Sequence, residues 1–347
     1  MKRRTFLKFS SASAAVFATS AASILSWQAN AYAATISKSF TITEGFITQA
    51  DGVDVYFRGF STDNNSLNIP GEPIIANKGD TIDITIENTL NTDHSFVIDD
   101  LNVNEPIAAG KTVTFQFTAN NVGSFLYYDG LNAPNNRLSG LHGAIAIMPT
   151  GSTNEVYSGS PTFVQQQFWL LNDIDPAWNA AFQNNNNPPN NFVPRYFTLN
   201  GLSGRPPGSP GYADPAVSAM YDPRSAVHGA IGDRALLRIL NAGMAKHSVH
   251  IHANHMEWLT ENGKPRKDIW LKDIVPIDPN GGSVDVIFPF EPPPDAWPPI
   301  DNAYIANLEA DGLELVYPMH LHDEMTQTSG GGLYMFGALT DIFFTAR

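Results

Sequence analysis

TIDITIENTL, residues 81–90, puts isoleucine at alternate positions with polar residues between them. Side chains on a strand alternate between faces, so this run encodes one buried face and one wet face. KTVTFQFTAN (111–120) repeats the pattern. GLHGAIAIMP (140–149) closes a series of short β-type runs that begins near residue 36. Turn signals divide the runs: IPGEP (69–73), NKGD (77–80), AAGK (108–111) and NNVG (120–123). This spacing predicts a β-sandwich over 34–150.

The polar TGSTNEVYSGSP (150–161) is a candidate linker, and a second domain is expected over 160–347. Its β runs are FVQQQFWLLND (163–173), FVPRYFTLNG (192–201), DRALLRILNAG (233–243), HSVHIHANHMEWL (247–259), WLKDIVPI (270–277), GSVDVIFPF (282–290), LELVYPMHLHDEM (313–325) and GGLYMFGALTDIFF (331–344). QNNNNPPNN (183–191) and FEPPPDAWPP (290–299) read as surface loops. A 43% hydrophobic content can fill two cores, while 27 Gly and 25 Pro suit a loop-rich chain. The expectation is an all-β protein of two sandwiches, related by divergent duplication.

Lys2, Arg3 and Arg4 open the chain, an apolar Ala/Ser-rich run follows from Phe9 to Trp27, and ANAYAA offers a cleavage point before Ala34. RRTFLK (3–8) resembles the twin-arginine export signal. The expectation is a signal peptide over 1–33 and a periplasmic or extracellular mature chain. No other stretch is long and apolar enough to span a bilayer. Removing 1–33 takes four of the 20 basic residues and none of the 34 acidic ones, which moves the net charge from −14 to about −18. That sign excludes a nucleic-acid partner and favours a cation. There is no cysteine, hence neither a disulfide nor a thiolate ligand.

Six of the nine histidines fall in HSVHIHANH (247–255) and YPMHLHDEM (317–325). On strands, His250 and His252 project the same way, as do His320 and His322 on either side of Leu321. If the two strands are neighbours, four imidazoles converge. Neutral imidazole suits copper, zinc, iron or nickel. Four ligands make a closed site, whereas three plus water leave a position for chemistry. Asp323 and Glu324 are candidate extra ligands or acceptors that orient the rings. Met244, Met256, Met319 and Met325 lie near in sequence, as thioether ligands or core filler. QTSGGG (327–332) reads as a tight turn or as a loop that approaches a ligand. His94, His142 and His228 read as structural, and His255 as a surface residue or a neighbour that supports the site.

IPGEPIIANKGDTIDITIENTL (69–90) and VGSFLYYDGLNAPNNRLSGLHGAIAIMP (122–149) resemble the ends of a multicopper oxidase cupredoxin domain. FTLNG with GDRALLRILNAGMAKHSVHIHANHMEW (to 258), WLKDIVPIDPNGGSVDVIF (270–288) and YPMHLHDEM resemble the family's last domain. The resemblance implies two cupredoxin-like Greek-key β-sandwiches and copper as the cofactor. It implies metal ligands at His250, His252, His320 and His322, with His247 at the position of an earlier family histidine. In the first domain the family's His-x-His pairs fall on VID (97–99) and YDG (128–130), with Tyr128 at a ligand position. Leu321 stands where the family has its type 1 copper cysteine, and the later His and Met fall near Thr326 and Gly331. A type 1 centre and a complete trinuclear cluster are therefore not expected. Three functions remain open: a copper-dependent oxidoreductase, a copper-less envelope scaffold, and a periplasmic copper carrier. An oxidoreductase would need a small-molecule or protein electron donor to meet the site directly, and an oligomer is compatible with all three.

Overall fold

The alternating runs become strands: β1 (Thr35–Thr48), β2 (Asp54–Ser61), β3 (Gly71–Asn77), β4 (Thr81–Asn88), β5 (His94–Ile98), β6 (Val103–Ile107), β7 (Thr112–Thr118), β8 (Gly123–Tyr128) and β9 (His142–Met148). They form two sheets, ordered β2-β1-β4-β7 and β3-β9-β8-β5-β6. Ile82, Ile84 and Ile86 all point between these sheets, where they meet Phe96, Tyr127, Ile145 and Ile147. The computed structural model describes residues 33–62, 66–204, 222–294, 296–334 and 337–347. The expected signal peptide lies outside the described residues except for Ala33.

The second half contributes β10 (Gln165–Ile174), β11 (Tyr196–Leu199), β12 (Val227–Ala230), β13 (Arg234–Asn241), β14 (His247–Ile251), β15 (Met256–Glu261), β16 (Lys264–Lys272), β17 (Ile274–Ile277), β18 (Ser283–Pro289), β19 (Leu315–Leu321), β20 (Thr328–Ser329), β21 (Leu333–Tyr334) and β22 (Leu339–Thr345). Its sheets run β11-β10-β13-β18-β15-β16 and β12-β22-β19-β14-β17, with β20-β21 as a small ribbon. Trp169, Leu237, Val249, Ile251, Met319 and Phe288 belong to the core between them. Among the described residues, β1 to β9 pair only with one another, as do β10 to β22. The architecture is all-β sandwich.

The two pairs of sheets are welded together. Leu126, Ala144 and Ala146 pack on Phe168, Leu170, Leu240 and Ala242. Arg238, fully buried, forms an ion pair with Asp285 at 3.3 Å, and Ser124 of β8 bonds to both. A buried charge without such partners would be costly. The stretch 150–161 has no strand or helix, yet Val156 is buried with Phe163, Leu236 and Leu259. It is a packed strap rather than a loose linker.

Among the described residues, three short α-helices interrupt the β series: α1 (Asn135–Leu138), α2 (Pro176–Gln183) and α3 (Asn302–Ala310). The Asp175 carboxylate accepts from Ala177 N ahead of Pro176, and Asp301 accepts from Tyr304 N. Both are helix-starting arrangements that satisfy otherwise orphaned amides.

Candidate metal centre

β14 and β19 are antiparallel neighbours with Val249 opposite Leu321, His250 opposite His320, and Ile251 opposite Met319. Alternation then sorts the side chains. Val249, Ile251, Met319 and Leu321 fill the core, while His250 and His320 turn outward. His252 and His322 follow two residues later on the same face, both exposed. Backbone bonds fix their positions: His252 N donates to Pro318 O and His322 N to Ser248 O.

The rings converge. Ring centroids lie 4.5 Å apart for His250–His252, 5.2 Å for His250–His320, 5.4 Å for His252–His320 and 5.5 Å for His250–His322. One ligand nitrogen each from His250, His252 and His320 falls within 4.8 Å of the others. His252 Nε2 and His320 Nε2 are 3.2 Å apart. Two nitrogens bound tetrahedrally at about 2.0–2.1 Å from one ion would sit roughly 3.3–3.4 Å apart, so this spacing fits a shared metal. His322 stands further out, 6.2 Å from His320.

The protein also sets which nitrogen is offered. His250 Nδ1 lies 3.1 Å from Asp273 O, and His320 Nδ1 lies 2.9 Å from Leu321 O. A carbonyl only accepts, so each Nδ1 carries the proton and each Nε2 keeps its lone pair. Burial holds the His250 imidazole below its ordinary pKa, against the pull of Asp273, and neighbouring histidines add to the lowering. His252 is lowered by burial and then by His250 and His320. Neutral rings are the form that binds metal.

The other residues marked in the sequence are placed as follows. His247 is not brought to the cluster. Three residues before His250 it has the opposite parity, so it points into the core, with Nε2 2.8 Å from Asp173 Oδ1. Met256 and Met319 are core filler, Met325 is exposed, and Asp323 and Glu324 are exposed beside His322. His255 is exposed, and His228 stacks on Phe343 at 4.4 Å. Gly330 and Gly331, at φ 61° and 82°, turn the chain from β20 to β21. Asp273 escaped the sequence reading. Its carbonyl accepts from both Ile251 N and His250 Nδ1, and this partner comes from the β16–β17 corner.

The first half shows the same register without the ligands. Val97 pairs with Tyr128 as His250 does with His320, and HSFVID (94–99) aligns with HSVHIH (247–252). That internal echo was available in the sequence. Here the Tyr128 hydroxyl donates to Asp99 at 2.9 Å, and burial with that bond pushes its pKa up to about 12. It is a neutral donor, not a phenolate ligand. Val97, Asp99, Tyr128 and Gly130 line a cavity of about 440 Å³. His94, matching His247, is fully buried with Nδ1 2.6 Å from Asp129.

A family model described as a cupredoxin-like domain matches residues 68–138. No curated protein matches the chain in sequence. Among solved structures, the multicopper oxidase mgLAC aligns over 90% of this chain and 86% of its own, at 19% identity and TM-score 0.66. The blue copper oxidase of Nitrosomonas europaea covers 89% and 86% at 18% identity and TM-score 0.66. The copper nitrite reductase of Nitrosomonas europaea covers 90% and 94% at 18% identity and TM-score 0.61. The chain thus carries a cupredoxin-like domain and has the fold of multicopper oxidases and copper nitrite reductases, without a single cysteine.

Proposed function

We propose that this chain is an exported copper-binding protein whose His-only centre is built from His250, His252, His320 and His322. The observation that carries the reading is the convergence of three imidazole nitrogens within 4.8 Å on one outward face. The donor set fits copper in either oxidation state, since neutral imidazole binds both. His250, His252 and His320 would hold the ion, with His322 at the rim. Copper would supply one-electron chemistry there. The residues of the chain orient it: Asp273 O and Leu321 O fix the tautomers, and the core side chains between the histidines lock the strand register.

Without cysteine there is no thiolate through which a type 1 copper could relay electrons. A donor must therefore meet the histidines directly, and the exposure of His252 and His322 suits that. The same openness favours a second reading, a copper carrier that exchanges its ion with a partner. The export signal in residues 1–33 supports a site of action outside the cytoplasmic membrane.

The deciding experiment is copper stoichiometry after anaerobic Cu(I) and aerobic Cu(II) loading of the mature chain, beside His250→Ala/His322→Ala. Copper retained through gel filtration by the wild type and lost by the variant is the expected result. No copper in either protein overturns both copper readings and leaves the scaffold. If copper is held, oxidation of phenols or diamines separates oxidoreductase from carrier.

A further inference from the structure

β16, KPRKDIWLK, differs from the rest of the surface. It is exposed along almost its whole length and is the terminal strand of the six-stranded sheet. Ile269, Trp270 and Leu271 are 42%, 49% and 65% exposed, three large apolar side chains in a row on a free edge. Lys264, Arg266, Lys267 and Lys272 stand against a single Asp268, in a chain whose net charge is −14. Arg266 is fixed between Trp258 and Trp270, 3.8 and 4.5 Å from the ring centres, and forms an ion pair with Glu261. Lys272 lies over Trp270 at 5.7 Å. No salt bridge holds Lys264, Lys267 or Lys272 among the described residues.

Free strand edges are ordinarily guarded against pairing. The first part of β16 is: Pro265 has no N–H to donate, and residues 266–269 bulge out opposite Leu259. The second part is not. Pairing with β15 resumes at Trp270, opposite Trp258, and the outer side of 270–272 is open. After Asp273 the chain continues as β17, the terminal strand of the other sheet.

We propose that this edge is the docking site for an acidic, extended segment of a partner protein, which adds along residues 270–273 and is thereby laid beside His250. Charge selects an acidic occupant. A second copy meeting the same edge would set cations against cations. A bilayer would leave the strand's outer N–H and C=O groups unpaired and would reach only one of the two faces. Ile269 and Leu271 lie on one face and Trp270 on the other. An added strand satisfies the backbone and touches both faces. Asp273, whose carbonyl orients His250, ends this edge. The docking stands on the edge alone; its use in bringing a copper or electron donor to the histidines rests on the copper reading.

The test is fluorescence anisotropy of a short fluorescein-labelled peptide of alternating Glu and Val, titrated with the metal-free mature chain. Saturable binding that weakens with salt is expected. Lys267→Glu/Lys272→Glu and Trp270→Ala should each weaken it about tenfold, and a Lys–Val peptide should not bind. These side chains are exposed, so unchanged thermal melting certifies the fold of each variant. Absent saturation, equal binding by the variants, or sedimentation of the wild type with phosphatidylglycerol vesicles that the lysine variant lacks would each overturn the proposal. Copper takes no part in the assay, so failure of the metal reading leaves the result standing.

Discussion

β5 and β8 in the first half, and β14 and β19 in the second, place outward residues at the same register, yet only the second pair carries imidazoles at those outward positions. Phe96, Ile98 and Tyr127 fill the core where Val249, Ile251 and Met319 do. The outward set is Val97, Asp99, Tyr128 and Gly130 on one face, and His250, His252, His320 and His322 on the other. The lesson is that the inward positions specify the fold and the outward ones are free to vary, so one scaffold supports a ligand cluster or a cavity. The comparison breaks most visibly if ligands are moved. Val97→His/Asp99→His/Tyr128→His should add a second, weaker copper to the first half, read as a rise in stoichiometry over the wild type. A variant that melts like the wild type but gains no copper would show that register alone does not make a site.

A second contrast lies beneath the faces. His94 bonds Asp129, which sits at the position of Leu321, and Asp129 also accepts from Ser95 N, Ser95 Oγ, Leu131 N and Asn136 Nδ2. In the second half Leu321 offers nothing, and His247 lies against Asp173 of β10 instead, without a well-aligned hydrogen bond. Removing one partner of a buried, hydrogen-bonded pair typically costs about 3–5 kcal/mol. His94→Ala should approach the lower end of that range, since four other donors still hold Asp129. His247→Phe, which puts a somewhat larger apolar ring in the same space but breaks no well-aligned hydrogen bond, should cost less, about 1–2 kcal/mol. Urea denaturation of the metal-free chain measures both, and copper content should not change in His247→Phe. Equal costs would end the distinction between the two buried pairs.

The same parity explains how far the sequence could be read. TIDITIENTL and KTVTFQFTAN alternate cleanly and became β4 and β7, because a one-residue slip would turn their buried face outward. The shared face of His250, His252, His320 and His322 was legible for the same reason. His247 was legible too, since an offset of three from His250 means the opposite face, but the family position outweighed the period. The helix starts at Asp175-Pro176 and Asp301 are local signals that the β pattern around them obscured. Asp273, Asp173 and Asp129 were not readable. Each reaches its histidine across a strand switch or a long loop, and nothing in local spacing states which sheets will face.

A third contrast concerns His142, the residue opposite Tyr128 in the first-half ladder and without a histidine counterpart in the second, where Leu339 stands opposite His320. Burial pushes the His142 imidazole down to about 4, with its Nδ1 donating to Arg137 O and the Arg137 charge adding to the lowering. Its folded pKa is thus below the unfolded value of about 6.5. Below that value the unfolded chain takes up a proton that the folded chain refuses. Stability is therefore intact above about pH 6.5 and falls with acidification, by about 1.4 kcal/mol for each unit until roughly pH 4, where the folded form also binds the proton. His142→Gln keeps a donor for Arg137 O but does not titrate. It should flatten this part of the curve of melting temperature against pH, measured on metal-free protein. His228, His250 and His252 also have lowered values and contribute in the same direction, so the comparison is made in a His228→Gln/His250→Ala/His252→Ala background. A slope between pH 6.5 and 4 that survives the His142 change in that background would assign the acid sensitivity to carboxylates instead, and would remove His142 from the contrast between the two halves.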